Sequence, residues 1–320
     1  MGVRQIVAAD IGGTHARFAI AELDGERVRS LSEPFVVATT AHPSFESAWA
    51  HFAEAASPLP PAATIAIAGP VVDGEVKMTN GPWTLNIADT RQALGLEALT
   101  VLNDFAAVAH AVAQVPPEQL LHIAGPDEPL PEKGVVTVMG PGTGLGVAHL
   151  HLYPGGYQVH STEGGHIGFA PQDELDDRVL ATLRARHGRV VTERVHSGAG
   201  IVAIYEALGG TELQDDRSVW AKGISGDDAT AAIAVDRFCA SLGAVAGDYA
   251  LAHGASAVVL AGGVGLKLKD VLPASQFGER FRSKPRYEPM MAAIPVKLIT
   301  RPEPGLYGAA AAFAREHCVG

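Results

Sequence analysis

The sequence predicts an α/β fold, and two observations lead to this class. Apolar strand-like segments alternate with segments of helical periodicity along the chain, as in sheets covered by helices. A pattern of strand, glycine-rich turn and strand occurs twice, in AADIGGTHARFAIAEL and in VMGPGTGLGVAHLHL. Chance similarity of two glycine-rich turns is the alternative. Because 320 residues suffice for two domains, we expect two similar domains with one such hairpin each.

The composition of the chain favours a globular protein and argues against nucleic-acid-binding, disulfide-rich and membrane-spanning classes of protein. Hydrophobic residues make up 47% and charged residues 18% of the chain, which indicates a well-buried core. A net charge of −11 argues against nucleic acid as a partner, since a basic surface is its usual signature. Cys239 and Cys318 form neither a disulfide framework nor a metal motif, which favours the cytoplasm. We expect no signal peptide and no membrane span, because the apolar stretch 238–252 is short and contains Asp248.

The elements of the first half follow from periodicity and from helix and turn signals. Three strands are predicted around the first hairpin, then a helix, a strand that ends at a Gly-Pro pair, a short strand and a second helix. In order, these cover 6–10, 16–23, 28–38, 44–55, 64–68, 101–102 and 104–115. The stretch 115–133 is rich in proline and acidic residues, and it predicts a loop at a domain boundary.

The elements of the second half continue the alternation. The two strands of the second hairpin are followed by two or three helices, a long helix, two short strands and a closing alanine-rich helix. In order, these cover 135–140, 146–152, 173–208, 227–253, 258–261, 295–299 and 304–317.

The first glycine turn contains Gly12 and Gly13. A strand follows it rather than a helix, so it differs from a Rossmann dinucleotide motif. We expect these glycines to adopt positive φ and to let backbone N–H groups approach a phosphate, with the Thr14 hydroxyl as a further donor. Asp10 ends the first strand and suits a Mg²⁺ ion held through water. A plain structural hairpin is the alternative.

Two further glycine-rich segments follow buried strands. Four glycines occur from Gly140 to Gly146, more than a turn needs, which indicates close approach to a ligand. The GGVG segment from Gly262 to Gly265 lies between a strand and a helix-like stretch, where its backbone suits an adenine or ribose. By itself GGVG is a weak signal, since many α/β proteins have Gly-Gly after a buried strand.

Polar groups at two other places indicate a hydroxyl-rich ligand. In LNDF, Asn103 and Asp104 lie between a strand and a helix, so Asp104 is predicted either to cap the helix or to act as a general base. EGGH brings Glu163 close to His166, and Glu193 lies further along the chain. Carboxylate, amide and imidazole groups share hydrogen bonds with sugar hydroxyls, and surface salt bridges or helix caps are the alternatives.

In this order, the segments resemble the bacterial glucokinase family of the sugar kinase and actin superfamily. The resemblance covers nearly the whole chain and is carried by ADIGGTHARFAI, AIAGPV, MTNGPW, VLNDFAAVAHAV, GPGTGLGVAHL, EGGHIGFAP, ERVHSGAG, LAGGVG and RPEPGLYGAAAAF. It implies a two-domain actin-like (ribonuclease H-like) fold, with residues 1–114 plus 303–320 and residues 115–302 on either side of an active-site cleft. It also implies ATP-dependent phosphorylation of the 6-hydroxyl of D-glucose with Mg²⁺, in a cytoplasmic homodimer.

Matching the family's motifs residue by residue implies a role for each candidate. Asp104 matches the catalytic base. The glucose ligands are matched by Asn103, Asp104, Glu163, His166 and Glu193. The ATP-binding positions are matched by Asp10, Gly12, Gly13, Thr14, Gly142, Thr143, Gly262 and Gly263, with Asp10 on the Mg²⁺ side. The clustered cysteines of zinc-containing sugar kinases do not occur, so we expect no structural zinc.

Departures from the family pattern and rival functions qualify this interpretation. Gly168 stands where Asp is common and Ala199 where Pro is common, although neither position is a proposed chemical group. A kinase for mannose, fructose or N-acetylglucosamine is the first alternative, since EGGH does not rank epimers. A sugar-sensing repressor would need an N-terminal helix-turn-helix before the first strand. A nucleotide-dependent scaffold like actin would leave LNDF and EGGH without a shared purpose.

Overall fold

The computed structural model describes residues 4–79 and 81–318, and their contacts divide the chain into two compact units. Unit 1 combines the described residues up to Pro116 with those from Arg301 onward. Unit 2 runs from Pro117 to Thr300. Each unit contains one six-stranded sheet, and a small three-stranded sheet completes unit 1.

The described residues form strands with the following bounds: β1 (Arg4–Ile11), β2 (His15–Asp24), β3 (Arg27–Leu31), β4 (Phe35–Ala38), β5 (Ala62–Ile67), β6 (Val71–Val72), β7 (Glu75–Lys77), β8 (Thr84–Asn86), β9 (Ala98–Asn103), β10 (Leu120–Ala124), β11 (Gly134–Pro141), β12 (Leu145–Tyr153), β13 (Gly156–Thr162), β14 (Ala255–Leu260) and β15 (Val296–Ile299).

The helices have these bounds: α1 (Phe45–Ala56), α2 (Ile87–Ala93), α3 (Asp104–Gln114), α4 (Glu174–His187), α5 (Thr192–Val195), α6 (Gly200–Ala207), α7 (Asp216–Ser225), α8 (Ala229–His253), α9 (Gly262–Lys267), α10 (Phe277–Arg282), α11 (Glu288–Ala292) and α12 (Pro304–His317). Short 3₁₀ turns cover Thr39–Ala41, Pro117–Gln119, Gly164–His166 and Leu272–Ala274.

The main sheet of unit 1 has the strand order β3-β2-β1-β5-β9, and β4 also pairs with β2. β1 and β2 are antiparallel, whereas β1, β5 and β9 are parallel, so the carboxyl ends of these three strands lie at one edge. Aromatic side chains of β2 and α1 form much of the core of this unit, with Phe18 stacked on Phe52 and edge-to-face with Trp49.

α3 and α12 pack against each other in unit 1 through small residues. A Cβ on Gly308 of α12 would overlap the carbonyl group of Ala107 in α3. The hydroxyl of Thr64 in β5 donates to the carbonyl of Ala309 at 3.1 Å, which joins α12 to the sheet. The last helix of the chain is therefore part of the first unit.

The sheet of unit 2 has the order β10-β15-β14-β11-β12-β13. β11 and β12 form an antiparallel hairpin, and β14 and β15 continue from β11 in parallel. The order β12-β11-β14-β15 therefore repeats the order β2-β1-β5-β9 of unit 1. This correspondence accounts for the similarity of the two glycine-rich segments, since each joins the two strands of the matching hairpin.

α8 lies in the core of unit 2, where Phe238 packs edge-to-face on Trp220 of α7. By length and composition alone this helix is apolar enough to cross a membrane. In the fold, 67% of the most apolar 18-residue stretch of this helix is buried, as in the core helices of soluble proteins.

Two of the predicted elements need correction, and four observed strands lie outside the prediction. The single strand expected over 28–38 is two strands, β3 and β4, because Pro34 and its neighbours interrupt the pairing with β2. The expected loop 115–133 contains β10, which adds an antiparallel edge strand beside β15. The short strands β6 to β8 and the edge strand β13 were not predicted, because their apolar residues do not alternate over enough positions.

Candidate active site

Asp10 lies near the end of β1, at the edge of the unit 1 sheet where the parallel strands end. It pairs in register with Arg17 of β2, and Arg17 forms a salt bridge to Glu303 with 3.1 Å between Nε and Oε2. A Cβ on Gly305 would lie 2.6 Å from Asp10 Oδ2, so the start of α12 lies directly against this carboxylate.

The electrostatic surroundings favour the protonated form of Asp10. Burial is the largest cause, and the charges of Asp104 and Glu303 add to it, while Arg17 opposes them. Together they raise the pKa of Asp10 from 3.8 to about 7. A bound cation would favour the ionised form, because it would supply the positive charge that this edge of the sheet lacks.

The first glycine turn adopts a different backbone from the one predicted. Neither Gly12 nor Gly13 has a positive φ. The N–H of Gly12 instead donates to the carbonyl of His15 at 3.0 Å, and the hydroxyl of Thr39 donates to the carbonyl of Gly13 at 2.8 Å. Thr14 is exposed at the tip of the turn. The expectation of left-handed glycines is thus wrong. These glycines can still serve a ligand through their small size, because the missing side chain lets a ligand approach the backbone closely.

Asn103 and Asp104 lie at the junction of β9 and α3, at the same edge of the sheet as Asp10. The structure corrects the alternative in which Asp104 caps the helix, since the cap is Asn103. Its Oδ1 accepts the N–H groups of Phe105 and Ala106 at 2.9 and 3.1 Å. Asp104 accepts the Phe105 N–H at 2.8 Å, one residue further on. Capping thus occupies the Asn103 carbonyl oxygen. Its amide Nδ2 donates one hydrogen to the Gly69 carbonyl at 3.5 Å, so the second amide N–H is the part that suits a sugar.

In unit 2, the EGGH segment forms the 3₁₀ turn Gly164–His166 after β13. Glu163 and His166 are exposed, and neither side chain has a hydrogen-bond partner among the described residues. The next residue, Ile167, is held firmly, because its carbonyl accepts both the N–H and the hydroxyl of Thr192 at 2.8 and 3.0 Å. The loop that presents two predicted sugar ligands is therefore tied to the helix α5.

Glu193 lies in α5 and contacts the second glycine turn. Its Oε2 accepts the N–H of Leu145 at 2.9 Å, where β12 begins. Three residues after α5, the N–H of Gly198 donates to the carbonyl of Gly142 at 2.7 Å. The segment 193–198 thus holds both ends of the turn 142–145. The structure brings a predicted sugar ligand and the predicted phosphate turn together within one unit.

His196, which sequence reasoning left without a role, anchors this segment to the core. The ring is wholly buried. Its Nδ1 lies 3.0 Å from the Thr192 carbonyl and its Nε2 lies 3.0 Å from the Ser241 hydroxyl. Because a carbonyl only accepts, Nδ1 carries the proton and Nε2 accepts from Ser241. Burial lowers the pKa of His196 to about 4, so the ring is neutral at pH 7.

A cavity of about 910 Å³ in unit 2 adjoins the glycine turn. Three of the predicted nucleotide residues line it: Gly142, Thr143 and Gly263. Gly262 does not line this cavity. Its φ is +83°, and a Cβ there would lie 2.5 Å from the Pro141 carbonyl, so this glycine permits α9 to pack closely on β11.

Sequence reasoning missed several polar residues of the cavity wall. They come from α5, from the loop after it and from the start of α7: Arg194, Ser197, Gln214, Asp215 and Asp216. Arg194 and Ser197 lie within the ERVHSGAG segment, so its position beside Glu193 was a usable signal. The residues at the start of α7 occur in a polar loop, where no motif distinguishes them from solvated side chains.

Metal-binding geometry is limited in the described part of the chain. No group of three or more His, Cys, Asp or Glu side chains there is arranged to hold a metal ion. Mg²⁺ needs no such cage, since it keeps several waters and takes one or two carboxylates together with phosphate oxygens. Asp10 offers an oxygen donor of this kind.

The chain matches known proteins along nearly its whole length. A family model described as Glucokinase matches residues 7–316. A glucokinase of Zymomonas mobilis is 54% identical over 319 residues, which is 98% of each chain.

Solved structures show the same architecture. A glucokinase from an Antarctic psychrotroph superposes with a TM-score of 0.84 at 33% identity, covering 97% of this chain and 99% of that one. A glucokinase of the ROK family from Streptomyces griseus, solved with glucose and AMPPNP, has a TM-score of 0.64 at 22% identity and covers 98% and 99%. The predicted α/β fold of the actin-like class is confirmed. The chain belongs to the glucokinase family, as its motifs predicted.

Proposed function

We propose that this protein transfers the γ-phosphoryl group of ATP to the 6-hydroxyl of D-glucose, with Asp104 as the general base. The observation that carries the proposal is the pair of contacts between segment 193–198 and the turn 142–145. They join an acceptor suited to sugar hydroxyls to the glycine-rich turn proposed to bind phosphate. Membership of the glucokinase family supports both substrates.

Asp104 suits the role of base because of where it stands. The first residue of α3 projects from the carboxyl end of β9, the edge at which Asp10 also lies. As the 6-hydroxyl attacks, its proton passes to the Asp104 carboxylate, the bond from O6 to the γ-phosphorus forms, and the bond to the bridging oxygen breaks to release ADP. Positioning of the hydroxyl and neutralisation of phosphate charge account for most of the acceleration in such transfers.

The remaining candidates divide between sugar and nucleotide. Glu163, His166 and Glu193, with the amide of Asn103, hold the sugar hydroxyls. Gly12, Gly13 and Thr14 of unit 1, and Gly142, Thr143 and Gly263 of unit 2, hold the nucleotide, with Gly262 shaping α9 beside it.

Asp10 is the residue proposed to hold Mg²⁺, through water. Its carboxylate is a hard oxygen donor, and a nearby cation would favour its ionised form. When bound, Mg²⁺ neutralises negative charge on the phosphate oxygens. The contribution of Asp10 is to be ionised, so that its carboxylate can hold the ion through water.

Two measurements test the proposal. Release of ADP is followed with ATP against a panel of glucose, mannose, fructose and N-acetylglucosamine, and glucose is expected to give the highest kcat/KM. Asp104→Asn is expected to lower kcat by about 10³-fold or more, while calorimetry still detects glucose binding. A kcat within tenfold of wild type would remove Asp104 from the role of base, and release of ADP that ignores sugar would overturn the kinase proposal.

We also propose a cytoplasmic homodimer that acts at the entry of glucose into glycolysis. The support is the resemblance to bacterial glucokinases and the burial of α8. Light scattering is expected to give twice the mass of the chain at micromolar concentration, and a concentration-independent monomer would contradict the dimer.

A further inference from the structure

Gly144 lies in the second glycine turn, but the group nearest to its missing side chain is a carboxylate. A Cβ built on Gly144 would lie 3.0 Å from Glu193 Cδ, and closer still to Oε2. The same Oε2 accepts the N–H of the next residue, Leu145, at 2.9 Å. Glu193 therefore packs onto the backbone of the turn at the one point where Gly144 leaves room for it.

The backbone of Gly144 does not itself require glycine. Its φ lies outside the left-handed range, so an alanine would adopt the same conformation without strain. Gly142 has no left-handed φ either, and a Cβ there would meet nothing within 4 Å. These two glycines of one turn differ in what a side chain would meet: a methyl group on Gly144 displaces Glu193, and a methyl group on Gly142 displaces no protein atom.

We propose that Gly144 is a positioning residue for the sugar, although it lies in the turn assigned to phosphate. By admitting the Glu193 carboxylate, it lets the Leu145 N–H hold Oε2. The other oxygen, Oε1, then faces a sugar hydroxyl from a fixed position. The inference rests on the proposed role of Glu193 as a glucose ligand.

Fixing the carboxylate before the sugar arrives has two physical effects. A free glutamate loses rotamer freedom when it binds a ligand, whereas a glutamate already held by Leu145 loses less. A fixed acceptor also penalises a sugar that presents no hydroxyl at that point, because the bound sugar would shield Oε1 from water and leave it unpaired. Displacing Glu193 from the turn should therefore weaken glucose binding directly, without any change at the phosphate.

The first experiment is a calorimetric titration of glucose in the absence of nucleotide. Gly144→Ala is expected to raise the glucose Kd at least tenfold. Gly278→Ala in α10, where a Cβ would meet Ala124 at 3.4 Å, is the control and is expected to leave the Kd within about twofold of wild type. Thermal unfolding of each variant accompanies the titration, so that loss of folded protein is separated from loss of affinity. A glucose Kd unchanged in folded Gly144→Ala would overturn the inference.

A double-mutant cycle tests whether the effect passes through Glu193. Glu193→Asp shortens the side chain by one methylene, which removes the overlap with a methyl group on Gly144 and also the reach to Leu145. If Gly144 acts only through Glu193, the double variant binds glucose no more than about threefold more weakly than Glu193→Asp alone. If the two losses multiply, Gly144 acts independently of Glu193 and the inference is wrong.

The same titrations distinguish failure of this inference from failure of the proposed function. A wild-type protein that binds no glucose would overturn the proposed function and this inference with it. A wild-type protein that binds glucose, with equal affinity in Gly144→Ala, overturns the role of Gly144 alone.

Discussion

Arg17 faces Asp10 across the hairpin of unit 1, and its guanidinium is shared with Glu303 in a 3.1 Å salt bridge. The single positive charge of Arg17 is therefore balanced against the carboxylates of Asp10 and Glu303. The charge of Asp104 also acts on Asp10. Burial of Asp10, together with this imbalance of charge, raises its pKa to about 7.

We expect the ionised form of Asp10 to destabilise the folded protein while being required for turnover. The unfolded carboxyl ionises near 3.8, so ionisation in the folded state costs stability that grows from pH 3.8 up to about pH 7 and is constant above. Asp10→Asn removes this cost. We expect the variant to raise the Tm of ligand-free protein at pH 8, and by less at pH 5, while turnover with ATP and glucose falls at least 100-fold. Equal Tm shifts at the two pH values would contradict the electrostatic account.

His196 predicts a loss of stability on mild acidification. Its pKa is lowered from 6.5 to about 4, so the unfolded chain binds the proton first. Stability is therefore full above pH 6.5 and falls as the pH drops toward 4, by up to ~3 kcal/mol from this residue. Urea unfolding across this range measures it. His196→Gln is expected to be less stable at pH 7 but to lose less between pH 6.5 and 4, and an identical slope would exclude His196 as a source.

The close approach of α3 and α12 requires glycine at position 308. Alanine favours helices more than glycine does, yet a Cβ here would overlap the Ala107 carbonyl. Gly308→Ala should therefore destabilise the protein by at least ~2 kcal/mol through overpacking. Gly278→Ala in α10 is the matched control, since its Cβ would meet Ala124 at an ordinary 3.4 Å. Calorimetry should show a lower Tm for the first variant and an unchanged or slightly higher Tm for the second.

Sequence alone predicted the two hairpins because their signals are local. Apolar runs on both sides of each glycine turn specify β1–β2 and β11–β12 to within a residue or two of the observed bounds. The closing helix 304–317 was likewise predicted with the observed bounds, since its alanine-rich run begins at a proline.

Contacts between distant segments were beyond the reach of sequence. Nothing near Glu193 indicates that its carboxylate accepts the N–H of Leu145, 48 positions earlier. The excess of glycine in the turn predicts close approach to a ligand, whereas at Gly144 the close neighbour is a protein side chain. The cap of α3 illustrates a local limit, since Asn103 and Asp104 are both good caps and only the backbone geometry selects the first.

Because α12 belongs to unit 1, the order in which the ribosome makes the chain does not match the order in which the units can be completed. Unit 2 is one continuous run and can fold as soon as residue 300 has left the ribosome. The first 116 residues are made earlier but must wait for 304–317, the helix that covers their alanine-rich face. Until then that face is exposed to misassembly or to chaperones, so removal of α12 is expected to impair the folding of residues that precede it by about 200 positions.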